Sequence, residues 1–195
     1  MRSWKHGLVG VAFACAVAVS AAAGQVVINE LMYHPQSEDS REEYIELLNV
    51  GTSAVDLTGW RFTTGIRYTF GSVSIPAGSY LVVVADPATF IAKHPGVPNF
   101  VGGWDGILSN SGQLLELVNA QGQRESAVRY ADEGDWATRE KAPADYGHRG
   151  WRWASLADGG GSSLELINPS LPNKHGRNWA PSLTPGGTPG RANSV

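Results

Sequence analysis

Three glutamates fall in or beside the first two β-rich runs of the chain. Glu30 lies within Val26 to Tyr33, and Glu43 and Glu46 lie within Glu43 to Val50. If those runs are neighbouring strands, the carboxylates converge, and grouped carboxylates can do acid–base work or bind calcium. They lack the dense Asp/Asn/Gly loop spacing of a calcium site, so no metal ligand is assigned. Calcium is the one cofactor they would suit; otherwise they read as strand carboxylates at the surface or held by hydrogen bonds. His34, His94, His148 and His175 show no paired ligand spacing, and no cysteine follows Cys15, which argues against structural zinc. No Gly-x-Ser-x-Gly elbow occurs. Gly159-Gly160-Gly161-Ser162 lacks the Lys-Ser/Thr ending of a phosphate loop and reads as a flexible turn. No catalytic set emerges, and the chain is not expected to be an enzyme.

A second group has a different chemistry. Trp136, Arg139, Tyr146, His148, Arg149, Trp151, Arg152 and Trp153 concentrate aromatic and guanidinium groups between Asp132 and Ser162. Such groups contact glycans, peptides and single-stranded nucleic acid. Arg149, Trp151 and Trp153 are the candidate ligand contacts. The same segment could instead fold back as a lid, its indoles over a sheet edge and its arginines paired to Asp132, Glu133 and Asp135. The lid is the preferred reading, and a lid exposing one or two tryptophans would combine both.

The elements that must position these residues are short strands between turns. The 195 residues include 24 Gly and 11 Pro, with 7 Trp, 6 Tyr and 5 Phe, which disfavours both a coiled coil and a disordered chain. Residues 1–24 read as a secretory signal peptide: Arg2 and Lys5, an apolar run from Leu8 to Val19, then Ser20-Ala21-Ala22-Ala23-Gly24. The run is too short to span a bilayer. Lipid attachment at Cys15 is disfavoured by the bulky Phe13 nearby. Removing the leader takes away two cations and changes the net charge from −3 to −5, so duplex nucleic acid is not an expected partner. No transmembrane segment is expected after leader removal, and the product would be exported to the periplasm, cell surface or medium.

From residue 25 onward, the sequence alternates as strands do. Ile45 and Leu47 fall on one face and Glu46 on the other, the pattern of a half-buried strand. Ser79 to Ala85 is continuously apolar. Asp86-Pro87 caps one short helix running to His94, and Ala120-Gln121-Gly122 closes a hairpin. Trp60, after Gly59, is a core anchor. At least seven short strands with regular turn signals predict an all-β, antiparallel β-sandwich with one short helix. It occupies residues 25–195, with a long loop insertion at about 132–162.

Val27-Ile28-Asn29-Glu30-Leu31-Met32, Glu43-Tyr44-Ile45-Glu46-Leu47 and Val55-Asp56-Leu57-Thr58-Gly59-Trp60 resemble the opening of a lamin tail domain. Tyr68-Thr69-Phe70, Ile75-Pro76-Ala77-Gly78, Leu108-Ser109-Asn110-Ser111-Gly112 and Leu115-Glu116-Leu117 continue the resemblance. Ser163-Leu164-Glu165-Leu166, Asn178-Trp179 and Gly187-Thr188-Pro189-Gly190 with Asn193 are similar to the ending of exported bacterial members. The resemblance spans about residues 26–194 and departs at Asp132 to Ser162. It implies an immunoglobulin-like sandwich without enzymatic activity. The expectation is an exported binding module whose partner is an unknown protein or surface polymer. The alternative is a metal-dependent hydrolase or nuclease-associated component built on the strand carboxylates.

Overall fold

The structure, a computed structural model, describes residues 25–195; residues 1–24, where the leader and Cys15 fall, lie outside the described residues. β1 (Val26–Met32), β2 (Tyr44–Asn49), β3 (Val55–Asp56), β4 (Arg61–Thr64), β5 (Tyr68–Thr69), β6 (Ser74–Ile75) and β7 (Tyr80–Val84) precede the helix α1 (Pro87–Lys93). β8 (Phe100–Gly102), β9 (Gly112–Val118), β10 (Arg124–Ala131), β11 (Thr138–Asp145), β12 (His148–Ala154), β13 (Leu164–Leu166) and β14 (Trp179–Pro181) follow. A six-stranded sheet in the order β14-β13-β1-β2-β7-β8 faces a four-stranded sheet, β10-β9-β4-β5. The fold is the expected immunoglobulin-like sandwich.

Alternation places Ile45 and Leu47 of β2, Leu81 and Val83 of β7, and Leu164 and Leu166 of β13 in the core between the sheets. Phe62, Leu115, Leu117, Val128 and Tyr130 meet them from the other side, with Trp60 buried among them. One pair departs from the antiparallel rule. β7 and β8 run parallel because α1 carries the chain back over the sheet before β8 begins. The Asp86 carboxylate accepts the Thr89 N–H at 2.8 Å, and Pro87 opens the helix. Phe90 then packs on Met32, Tyr44, Val82 and Val84, covering part of the sheet's outer face. This is why β7 is apolar on both sides.

β2 is not half-buried: all six residues are buried, Glu46 included. The reason lies at the other end of the chain. After β14, residues 182–195 run across the outer face of the six-stranded sheet as a strap. Ser182 N–H donates to the Ser163 carbonyl at 2.8 Å, and Asn193 Nδ2 donates to the Leu166 carbonyl at 2.8 Å. Gly187 sits at the tightest point with φ +86°, where a Cβ would stand 2.0 Å from the Tyr44 hydroxyl and 2.2 Å from Glu30 Oε1. Gly186 has a similar φ of +79°, but its nearest neighbour is 3.8 Å away. Both substitutions to alanine incur the left-handed backbone cost of about 1–2 kcal/mol, and Gly187→Ala adds crowding of about 1–3 kcal/mol. Gly187→Ala is therefore expected to destabilise the fold well beyond Gly186→Ala. Urea unfolding of the two variants checks this, and equal losses would refute the tight fit of the strap.

Candidate functional site

The three glutamates do not converge. A bulge in β1 lets Asn29 fall out of register, so Ile28 pairs with Leu47 and Glu30 with Glu46. Glu30 and Glu46 thus share the outer face. Glu43, an odd number of residues from Glu46, points to the opposite side of β2, where it accepts the Leu108 N–H at 2.8 Å. The third carboxylate beside Glu30 is Glu165, its partner across β1 and β13. All three are fully buried. Its signal in the sequence was the alternation Leu164-Glu165-Leu166, which sets a lone glutamate opposite two core leucines.

The strap and its neighbours supply donors to these carboxylates, leaving Glu30 Oε2 as the one oxygen of Glu30 without a partner. Glu30 Oε1 accepts from Thr188 N–H at 2.8 Å, the Tyr44 hydroxyl at 2.6 Å and the Ser163 hydroxyl at 2.5 Å. Glu46 accepts from Gly190 N–H at 2.6 Å and Asn29 Nδ2 at 2.9 Å. Glu165 accepts from the Thr188 hydroxyl at 2.6 Å and from Ser194 N–H at 2.7 Å. Donors, not cations, surround these oxygens. Among the described residues, no group of three or more His, Cys, Asp or Glu is arranged to hold a metal ion. Burial raises the Glu30 pKa to about 7, against the pull of the Ser163, Tyr44 and Thr188 hydrogen bonds. Burial, reinforced by the charge of Glu30, raises Glu46 to about 8. Glu43 is raised by burial to about 7.

Glu43 lines a cleft of about 610 Å3 with His34, Glu38 and Gln113. The cleft lacks a free base at His34, whose Nδ1 is 2.6 Å from Asp158 and whose Nε2 is 3.0 Å from Glu38. Burial lowers the His34 pKa, but those two hydrogen bonds outweigh it and hold the group above its ordinary value. His94 packs against Phe90, their ring centroids 4.8 Å apart. His148 lies in β12, and His175 caps the 3-10 turn Gly176–Asn178. The Gly159–Gly161 segment is a packed turn: Gly159 abuts the His34 ring, and a Cβ on Gly160 would meet Leu156 backbone at 2.8 Å.

The 132–162 segment is neither a loop nor, at Trp151 and Trp153, a lid. β11 and β12 pair as a two-stranded ribbon that joins neither sheet. Tyr146 and Gly147, with φ of 47° and 81°, form the two-residue turn between Asp145 and His148. Nearly every residue of both strands is exposed. The ribbon escaped sequence reading because neither of its faces is buried, so no apolar alternation marks it. Only its base folds inward: Trp136 lies 6.0 Å from Trp179, centroid to centroid, and Ala157 is buried. The expected pairing of the segment's arginines to Asp132, Glu133 and Asp135 is not what forms. Asp135 pairs instead with Arg177 at 3.4 Å, and Arg152 with Glu140 at 3.5 Å.

The register assigns the ribbon's faces. Arg139 stands opposite Trp153, and Lys141 opposite Trp151. Arg149, two residues before Trp151, shares their face. The Arg139 guanidinium carbon lies 5.1 Å from the Trp151 ring centroid and Lys141 Nζ lies 4.4 Å from it. Glu140 and Asp145, the two carboxylates of the strands, are paired across to Arg152 and His148 on the other face. One face therefore carries three cations and two indoles, Trp151 at 53% and Trp153 at 42% exposure. Arg139 belongs to the cluster seen in the sequence though not to its candidate contacts, and Lys141 is the member of this face that the sequence pattern does not mark.

The fold is an immunoglobulin-like β-sandwich that carries a projecting cationic, aromatic ribbon. The family model of the lamin tail domain matches residues 19–132, more than half of the 195, and the chain belongs to the lamin tail domain family. That family is one of non-catalytic immunoglobulin-like domains. No curated protein matches the chain. The family match ends where the ribbon segment begins, while β13, β14 and the strap close the same sandwich beyond it.

Glu30 and Glu46 set a pH dependence. Their folded pKa values lie above the ordinary 4.5, so the stability they contribute is complete below about 4.5. It is lost as pH rises through about 7 for Glu30 and about 8 for Glu46. His34, also raised, acts in the same sense above its ordinary 6.5. Each carboxyl contributes up to about 1.4 kcal/mol per pH unit within its window. The melting temperature is therefore expected to fall between about pH 5 and about pH 8.5, with a shallower slope in Glu46→Gln. Calorimetric melts across that range test it, and a rising or flat wild-type profile would contradict the buried acids.

Proposed function

We propose that the chain is an exported, non-enzymatic interaction module whose contact surface is the Arg149, Trp151 and Trp153 face of the ribbon. Arg139 and Lys141 complete that surface. Its partner is a protein or surface polymer of the periplasm, cell surface or medium. The observation that carries the reading is the exposure of two tryptophans beside three cations on a ribbon with no core of its own. Large exposed aromatics next to arginine are what binding hot spots are made of. Export rests on the leader pattern in residues 1–24; among the described residues, no helix is long and apolar enough to cross a membrane.

The double variant Trp151→Ala/Trp153→Ala tests the surface. Immobilised wild-type chain is expected to retain a component of the exported and cell-surface fraction, and the variant to lose most of that retention. Because both indoles are exposed, the melting temperature should stay within about 2 °C of wild type. Retention unchanged in the variant would remove the ribbon face as the contact surface.

The metal-dependent alternative gains no support from carboxylates that bind the chain's own N–H and hydroxyl groups. Titration with calcium and with magnesium is expected to give neither binding heat nor a shift in melting temperature. A saturable heat lost in Glu46→Gln would restore the hydrolase or nuclease-associated reading.

A further inference from the structure

Trp151 does not present a bare ring: Arg139 and Lys141 lie over it. Two cations two residues apart on one strand repel each other, and the indole offsets only part of that repulsion, about 0.5–1 kcal/mol per contact at an exposed site. Neither carboxylate of the ribbon strands stands on their face. The arrangement therefore lacks an anion. A roofed indole is also a poor platform for a nucleic-acid base, which stacks on an open aromatic face.

A second observation is independent of charge. The ribbon is two-stranded and both its outer edges are unpaired among the described residues. A lone two-stranded sheet is marginal in water, and open edges accept further strands. The edge of β11 is interrupted: its register shifts between Lys141 and Ala144, and Pro143 has no N–H to donate. The edge of β12, His148–Ala154, contains no proline, and only Gly150 stands outside its pairing. Arg139 and Lys141 of β11 lie over the Trp151 ring of β12, so their charge sits on the face the two strands share.

We infer that an extended acidic segment of a partner polypeptide adds to the His148–Ala154 edge as a third strand, with carboxylates at alternate positions on the Trp151 face. The inference rests on the ribbon being the contact surface and names the chemistry of what it contacts. The added strand's backbone pairs with β12, and its alternate side chains lie beside Arg149, Trp151 and Trp153. Carboxylates there meet Arg149 directly and meet Arg139 and Lys141 above Trp151. Trp151 acts as a positioning residue that gathers the two cations. A second copy of the chain does not fit, because it would bring the same cations face to face.

The test is an array of peptides about eight residues long, enough to span the edge, with Glu at alternate positions and Val, Thr or Tyr between. Companion spots replace Glu by Gln or Lys, place a proline at the centre, or carry a sulfated glycan. Purified chain is expected to be retained at least about tenfold more on Glu spots than on Gln or Lys spots, and to lose most of that on proline-interrupted ones. Lys141→Glu/Arg149→Glu should shift preference to the Lys spots. Trp151→Ala should weaken retention on Glu spots severalfold without moving the melting temperature. Equal retention on proline-interrupted spots would overturn strand addition, as would retention on the glycan alone or no preference for Glu. If the peptide spots stay empty while Trp151→Ala/Trp153→Ala still loses its partner from the exported fraction, this inference falls and the contact surface stands. If that double variant keeps its partner, the surface itself is wrong.

Discussion

The fold depends on three carboxylates that have no water to turn to. Glu30, Glu46 and Glu165 lie side by side on the outer face of the six-stranded sheet, all fully buried. Burying such groups is costly unless donors replace the lost water. The donors come from residues 182–195, which bring Thr188, Gly190 and Ser194 N–H groups to them. The requirement is mutual, since the Thr188, Gly190 and Ser194 N–H groups of the strap have these carboxylates as their acceptors. One polar cluster thereby ties the first strand to the last residues of the chain.

That closure fixes the rest of the architecture. With α1 over one part of the outer face and the strap over another, the six-stranded sheet is covered on both sides. Its central strands can then carry apolar residues on both faces, as β7 does. Glu30 and Glu46 go inside, held by hydrogen bonds, and burial raises their pKa values to about 7 and about 8. Arg139, Lys141, Arg149, Trp151 and Trp153 go outside, onto the ribbon. A chain of net charge −3 thus presents a face with three cations and no carboxylate. Net charge describes the whole chain, whereas binding responds to the local arrangement.

Much of this could be read from residue order. The longer strands of the sandwich, the Asp86-Pro87 helix start and the inward Trp60 follow from patterns of two to eight neighbouring residues, and the structure bears them out. The family match bears out the lamin tail domain resemblance. Arg149, Trp151 and Trp153 were also visible as an unusual cluster. What could not be read was which face a residue takes after an irregularity. The Asn29 bulge turned Glu30 toward Glu46, and the simple period of two sent Glu43 away from both.

The sequence by itself determined local conformation and fold class, because alternation, capping and turn residues act within a few positions of one another. Only the tertiary structure decided that Glu30, Glu46 and Glu165 are held together by the strap as an internal latch. Their strap donors lie 158 residues away for Glu30 and 144 for Glu46, far beyond any local pattern. The ribbon shows the converse. Both its faces are wet, so it leaves no hydrophobic period to detect, and its cationic face exists only once Arg139 and Lys141 are paired across from the tryptophans.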